Sequence, residues 1–553
     1  MSGCPKALDL AIREMCSRSR ESLEPAGFSD LFLRGCIRGE KLSIRVELFF
    51  DPEGPMILEK QLLKFIQAEA EKLSARHHAY HNSVDLEYQR RSKRLLDPGE
   101  KLVNLPPQWS ADKKFNPFYV NKNRKKIAHS ISRKILLGTY IPNAPTHMEV
   151  RKPSGGYRTV SIFQIPDAAV SALFYHQLLK KNKHRLSSFA YAYRDDRNAH
   201  FAIQDISLEL GQAPRIFVAE FDFSKFFDNI RHDYLFEQFD QNGFSISESE
   251  RNVIKAFLGA SGKGIPQGTS ISLFLANLVC WQLDKKLELA GLRFARYADD
   301  TIIWANDYQK INAAYEIIYK FSSETGVAIN LEKSEGISLL CPKDHKSEFA
   351  QCKDSVDFLG YKLSKEKISI KEKSVIKIKK EISYILYKHL IQPLKSSVLK
   401  SVRIPANNKD IDLLRAISEI RRFLYGDLTD EMISNYINGA SNRIFFKGTM
   451  SFYPLLNDEL QLRQLDTWLV LTVFKSIKLR KNLLSKHGYH RNHSSPFNIR
   501  KKNIASTLRR QKIGGKKKLQ LPSFFFIYQA LKKGLSDMGV EGVMNPKSNM
   551  YNY

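Results

Sequence analysis

Two stretches of β-type sequence each run into aspartate, and like charges set side by side at the end of apolar strands need a reason. "RIFVAEFDFSKFFDNI" (215–230) ends its apolar run at Asp222, and "RFARYADDTIIWA" (293–305) sets Asp299 and Asp300 between two strand-like runs. The alternation predicts strands, with the acidic pair at a hairpin turn and Asp222 at the end of a strand beside it. Three carboxylates in one cleft are unfavourable unless divalent cations lie among them, and hard oxygen ligands suit Mg²⁺ bridging substrate phosphates. Two such ions would activate a primer 3′-hydroxyl and stabilise a leaving pyrophosphate. The dipeptide alone carries no such meaning. It recurs as Asp195–Asp196 in "YRDDRN", between arginines, where an exposed, salt-bridged turn is expected.

The charge balance narrows the partners. A formal charge of +29, from 87 Lys and Arg against 58 Asp and Glu, leaves a self-repelling surface unless a polyanion neutralises it. Nucleic acid is the leading partner. The longest apolar candidate, "TWLVLTVF", is too short to span a bilayer, so no membrane is expected. The stretch "MSGCPKALDLAIREMC" carries acidic residues and no apolar core, unlike a signal peptide. Six cysteines (Cys4, Cys16, Cys36, Cys280, Cys341, Cys352) show no CxxC spacing, which argues against a zinc ribbon or a disulfide framework and fits a reducing cytoplasm. With 553 residues, 43% of them hydrophobic, the chain can bury a large core, in about three or four domains.

Periodicity gives the coarse order of elements. "LSIRVELFF" alternates like a strand, and "LLKFIQAEAEKLSARHHAYH" has helical spacing. "FNPFYVNKNRKKIAHSISRKILLGTYIPNAP" reads as a helix closed by Gly138 and proline, followed by a basic hairpin, "THMEVRKPSGGYRTVSI", that turns at Ser-Gly-Gly. A helix, the Asp222 strand, further helices, the glycine-rich turn "GKGIPQGTS" and the acidic hairpin come next. From about residue 370 the pattern is helical and basic.

"FDFSKFFDNI", "GIPQGTSIS", "YADD", "NLEKSEG" and "DFLGYKL" occur in the order and approximate spacing of reverse transcriptase palm motifs. Over roughly residues 115 to 370 the chain resembles the bacterial group II intron, retron and defence-associated reverse transcriptases. It is most similar to the abortive-infection-type members, being long at both ends without mobility modules. The resemblance implies an α+β right-hand polymerase, with fingers and palm of antiparallel sheet plus helices, a helical thumb and a mostly helical, basic C-terminal extension. Residues 1–110 would form an N-terminal extension, 111–365 fingers and palm, 366–450 the thumb and 451–553 the RNA-binding extension. It implies RNA-directed DNA synthesis from deoxynucleotides with two Mg²⁺ ions, or Mn²⁺, on a noncoding RNA template, giving a DNA product in antiviral defence; a homo-oligomer stays open. A splicing-type maturase, or untemplated or protein-primed synthesis, is the alternative.

Roles transfer residue by residue. Asp222, Asp299 and Asp300 would be the catalytic metal ligands, with the Phe223 carbonyl as an extra ligand; Asp228 reads as structural. Phe227 matches the bulky residue that excludes a ribose 2′-hydroxyl, against the alternative of an ordinary core aromatic. Gln267 and Gly268 in "GIPQG" would meet the incoming nucleotide, or else form only a turn before a buried helix. Lys152, or its neighbour Arg151, and Arg158 would grip the triphosphate. Lys333 matches a lysine that protonates pyrophosphate, or is an exposed loop lysine. Leu359 and Gly360 in "FLGY" resemble the primer-grip turn.

Residues 500–518 carry nine Lys and Arg and no acid. Within them Arg509, Arg510, Lys516, Lys517 and Lys518 are candidate RNA-binding residues, against the reading of a solvated tail. His487, His490 and His493 lack a nearby Cys or acid, so no metal is expected there. Tyr551 and Tyr553 are conceivable protein primers or simply a frayed end. Neither a nuclease constellation of Cys and His nor a second acidic set for ribonuclease H is found.

Overall fold

In a computed structural model of the chain, described residues run from 54 to 549 except 94–95, 152–154, 213–214, 342–348, 350, 396–409, 491–495, 505, 507–511, 514–516 and 519; at 54–55, 512–513, 517–518 and 549 only the backbone is described. The strand read at "LSIRVELFF" lies outside them.

Helix α1 (Gly54–Ser92) packs against α2 (Pro117–Leu136), which Asn116 caps through its side chain and which carries proline at its first turn. Strands β1 (Thr146–Arg151) and β2 (Tyr157–Ile162) form the basic hairpin, largely exposed. Next come α3 (Ile165–Asn182), α4 (Ala199–Gln212), β3 (Ile216–Phe221), α5 (His232–Gln241), α6 (Glu248–Leu258), α7 (Ile271–Leu289), β4 (Arg293–Tyr297), β5 (Asp300–Ala305) and α8 (Tyr308–Thr325). Strands β6 (Gly336–Leu340) and β7 (Cys352–Lys353) complete a sheet of order β4-β5-β3-β6-β7, antiparallel except for β6–β7.

Burial explains why these runs fold so. β3 is covered on both faces and reads as one apolar run. On one face Phe217, Ala219, Phe221, Phe294 and Ile303 join a core with α3, α7 and α8. On the other, Ile216, Val218, Ala295, Ile302 and Trp304 join a core with α4 and the C-terminal helices. α7 is buried from Ile271 through Cys280, as a helix inside the fold must be.

A small sheet follows: β8 (Val356–Phe358), β9 (Tyr361–Leu363) and β10 (Ile368–Ile370). Helices α9 (Glu372–Leu386), α10 (Ile411–Tyr425), α11 (Asp430–Ile437), α12 (Glu459–Lys486) and α13 (Phe524–Val543) share the second core, so helices on either side of residue 450 bury one another. The phenylalanines of "LPSFFFIYQ" divide accordingly: Phe524 is fully buried, while Phe525 and Phe526 pack at its edge. Two short strands, β11 (Lys512–Ile513) and β12 (Lys517–Lys518), pair in the basic segment. No described helix is long and apolar enough to cross a membrane.

Candidate active site

The register of the large sheet brings the acids together. Phe221 pairs with Thr301 and Tyr297 with Asp300, so continuing the β3–β5 register by one residue sets Asp222 opposite Asp300. Ala298 and Asp299 make the two-residue turn between β4 and β5, and Ala298 enters it at φ 62°, a conformation that favours glycine.

Asp222 is held at several atoms. Its N–H donates to Ser334 Oγ at 3.2 Å and its carbonyl accepts from Asn330 N–H at 2.8 Å. Its Oδ2 accepts from Asn330 Nδ2 at 3.2 Å and from the Lys333 ammonium at 2.9 Å. Ser224 N–H donates to the Ala328 carbonyl, and Phe223 bridges Ile329; the Phe223 carbonyl takes part in none of these bonds.

Electrostatics tie the three carboxylates together. Burial pushes the Asp299 carboxyl up, as does the charge of Asp222, while Arg158 and Lys333 oppose the rise. Asp300 is pushed up to about 6 by the protein mass around it and by Asp299 and Asp222. Its side chain is exposed. Lys333 is pushed up by its hydrogen bond to Asp222, then by the charges of Asp300 and Asp299. Three carboxylates and three cations, Lys333, Arg158 and Lys371, thus act on one another, and the Lys333 ammonium sits on an Asp222 oxygen. Among the described residues no group of three acids, histidines or cysteines is drawn close enough to be a formed metal cage. The donor set, hard carboxylate oxygens that repel one another with one cation already drawn in, fits a divalent hard ion.

Residues 150–363 match the family described as "Reverse transcriptase (RNA-dependent DNA polymerase)". They form a reverse transcriptase domain. The chain is similar to "Protein YkfC" of Escherichia coli (strain K12), 25% identical over 190 residues, 32% of this chain and 49% of that one. It is also similar to "Retron Ec86 reverse transcriptase" of Escherichia coli, 26% identical over 174 residues, 31% and 49% respectively. The chain spans about half the length of the curated relatives it matches. Among solved structures, telomerase from Candida albicans with a fragment of telomeric RNA aligns over 68% of both chains at 11% identity, with a TM-score of 0.32, too low to bear on this chain.

Within the reverse transcriptase domain the other expected residues fall as follows. Arg158 is exposed on β2, opposite Val150, and its charge reaches Asp299; Lys152 lies outside the described residues. Phe227 is half-buried, edge-on to Phe226, and its carbonyl accepts from Ile265 N–H at 2.7 Å. Gln267 donates its side-chain amide to exposed Asp228 at 3.1 Å, and its carbonyl accepts from Ser161 N–H at 2.7 Å. Gly268 sits at φ 112°, where a Cβ would stand 2.5 Å from the Ser161 carbonyl oxygen. The "GIPQG" turn therefore clasps the β1–β2 hairpin.

Leu359 (φ 47°) and Gly360 (φ 85°) form the two-residue turn of β8–β9, both left-handed as a type I′ hairpin demands. The Gly360 carbonyl accepts from Lys371 N–H at 3.0 Å, and the charge of Lys371 reaches Asp300. Asp196 pairs with Arg194 at 2.7 Å and Asp195 with Lys183 at 3.4 Å, the salt-bridged turn expected of that dipeptide. Lys517 and Lys518 lie on β12; Arg509, Arg510 and Lys516, with His493, Tyr551 and Tyr553, lie outside the described residues.

Sequence reading missed the supports. Arg296, 1% exposed, grips Asp284 of α7 through two bonds of 2.7 and 2.6 Å and donates to Asn277 Oδ1 and the Ala298 carbonyl. It lies two residues before the acidic turn, but its partners come from another element. Asn330 and Ser334 flank the one residue of "NLEKSEG" that was singled out.

Proposed function

We propose that this chain is an RNA-directed DNA polymerase that extends a primer on an RNA template. The observation that carries the reading is the trio Asp222, Asp299 and Asp300, charge-coupled at the ends of β3 and β5 and faced by Lys333 and Arg158. Reverse transcriptases generally use divalent metals, and Asp222, Asp299 and Asp300, with the Phe223 carbonyl, are the residues that would hold two ions. When bound, such ions activate the primer hydroxyl and neutralise the phosphates. In the reaction the primer O3′ joins the α-phosphorus and pyrophosphate leaves.

The chain's own residues do the rest. Arg158, on the hairpin above Asp299, binds triphosphate and offsets the charge that builds on it. Lys333 compensates the carboxylates until substrate arrives and, as a protonated amine beside the leaving group, supplies a proton to it. Phe227 fills the space a ribose 2′-hydroxyl would need. Gln267 and Gly268 hold the hairpin to the sheet and flank the nucleotide, and the Leu359–Gly360 turn supports the primer. The resemblance of the motifs, the retron enzyme among the relatives and the excess of positive charge support a dedicated noncoding RNA as template, a role in antiviral defence and a cytoplasmic setting. The basic segment at 500–518 is our candidate for holding that RNA.

Primer extension with labelled deoxynucleotides on an RNA template tests the reading. The Asp299→Ala/Asp300→Ala variant should lose incorporation while keeping its melting temperature, because the substitutions remove repulsion along with ligands. Extension at the wild-type rate by that variant sinks the assignment.

A further inference from the structure

Most cations of the described domain are spoken for. Lys181 pairs with Glu250, Lys183 with Asp195, Arg251 with Asp240, Lys286 with Glu324 and Arg293 with Glu209. Helix α2, ahead of that domain, concentrates cations without such partners. Its 20 residues carry six Lys and Arg and no acid, although each turn could have held an i,i+4 partner. Lys122, Lys125, Lys126 and Arg133 are all exposed, and among the described residues none makes an ion pair or side-chain hydrogen bond.

Their spacing gathers them on one line. At about 100° per residue the four fall within a stripe of about 100°, and from Lys122 to Arg133 they span roughly 16 Å. The opposite face is committed: Val120, Ala128 and Ile135 are buried, with Ser132 buried at the edge of the ridge, and the helix packs on α1 and α3. On the same side of the helix as the ridge, His129 Nδ1 engages Glu59 of α1 at 2.9 Å. Beyond its C-terminus the helix leads through residues 137–145 into the β1–β2 hairpin that carries Arg158.

We propose that the Lys122–Lys125–Lys126–Arg133 ridge of α2 is a second nucleic-acid interface, outside the carboxylate cleft, that takes a phosphodiester backbone. Charge complementarity selects the occupant: unpaired, exposed cations in a row match a line of phosphates and gain by releasing its counterions. An anionic bilayer is the poorer match, because an interfacial helix needs a free apolar face and the apolar face of α2 is buried in the protein. Contacts to phosphate fix register without reading bases, so the ridge holds strands of any sequence. The proposal rests on the reading that the chain handles nucleic acid.

The test uses the full chain and its Lys122→Gln/Lys125→Gln/Lys126→Gln/Arg133→Gln variant. Affinity is measured by fluorescence anisotropy against KCl for a 30-nucleotide RNA, the DNA of the same sequence and an unrelated RNA, and by co-sedimentation with phosphatidylserine vesicles. Thermal unfolding should be unchanged, since no packed or paired group is altered. The slope of log affinity against log salt should become less steep by about 3, at roughly 0.7 per phosphate contact on single strands, and equally so for both RNA sequences. A loss confined to RNA or to DNA supports the proposal and identifies the strand held. An unchanged slope on a wild-type chain that binds nucleic acid overturns it, as does a variant that loses only vesicle binding. A wild-type chain that binds neither RNA nor DNA overturns instead the polymerase reading.

Discussion

Arg296 Nη1 lies 3.0 Å from the carbonyl oxygen of Ala298 and donates to it, and Ala298 is the residue that enters the acidic turn at φ 62°. A left-handed alanine costs on the order of 1 kcal/mol or more, so something must hold it. The holder is itself anchored: both Arg296 and Asp284 are 1% exposed, and Asn277, which accepts from the same guanidinium, donates to the Ala192 carbonyl at 2.9 Å. The network thus fixes the backbone of the turn that carries Asp299.

Removing the guanidinium separates stability from geometry. Arg296→Met leaves Asp284 buried and unpaired, and guanidinium unfolding should report a loss of about 3–5 kcal/mol. Adding Asp284→Leu should recover most of that loss, since two apolar groups can replace a buried pair. Primer extension by the double variant should still fall about 10- to 100-fold, because the turn has lost its donor. A double variant with full activity would reduce Arg296 to packing.

The aspartates were legible because strand ends are local: an apolar run that stops at Asp222 announces both the strand and its exit. The hairpin around Asp299 and Asp300 was legible for the same reason. Arg296 was not, since its partners Asp284 and Asn277 sit on α7, and nothing in "RFARYADD" says which helix lies beneath. The close approach of Gly268 to the Ser161 carbonyl was not legible either, because the hairpin partner lies far away in sequence. The helices before and after residue 450 read as separate stretches, whereas their apolar stripes find each other and form one core. Pairing between distant faces is decided by tertiary packing, and periodicity carries only the stripe.

His200 sets a pH dependence at the junction of α4 with the small sheet and the C-terminal end of the chain. It is 3% exposed, with Nδ1 3.3 Å from the Tyr361 hydroxyl and Nε2 3.4 Å from Ser548 Oγ. Burial pulls its imidazolium down to about 4 from 6.5. The unfolded chain therefore binds the proton first, and stability present above about pH 6.5 is lost as pH falls towards 4, by at most about 3 kcal/mol. Urea unfolding at pH 7.5 and pH 5 should show a smaller drop for His200→Gln than for the wild type. Parallel drops would assign the acid sensitivity elsewhere.

Gly268→Ala tests the clasp between the "GIPQG" turn and the hairpin. A Cβ there would meet the Ser161 carbonyl at 2.5 Å and Val160 Cγ1 at 2.9 Å, at a φ of 112° that side chains rarely adopt. Stability should fall by roughly 1–3 kcal/mol in thermal unfolding. The KM for deoxynucleotide should rise, because Arg158 shares β2 with Ser161 and moves with it. A loss below about 0.5 kcal/mol with unchanged KM would mean that the hairpin yields freely at this contact.

Phe227 offers the sharpest test of substrate choice. It follows Asp222 by five residues, its ring stands edge-on to buried Phe226 at 5.5 Å between centroids, and its carbonyl is tied to Ile265 beside Gln267. Half-buried, it has one side packed on the core and another exposed, so truncation should remove support and, on the proposed reading, obstruction together. Phe227→Ala should cost about 1–3 kcal/mol of stability, less than a fully buried phenylalanine. It should also raise kcat/KM for a ribonucleotide relative to its deoxynucleotide, by about 10- to 200-fold if the ring alone excludes the 2′-hydroxyl. The two effects have separate readouts, unfolding and competition between the paired nucleotides. Loss of stability with an unchanged sugar ratio would make Phe227 a core residue, and the choice of sugar would then have to lie with another group near Gln267.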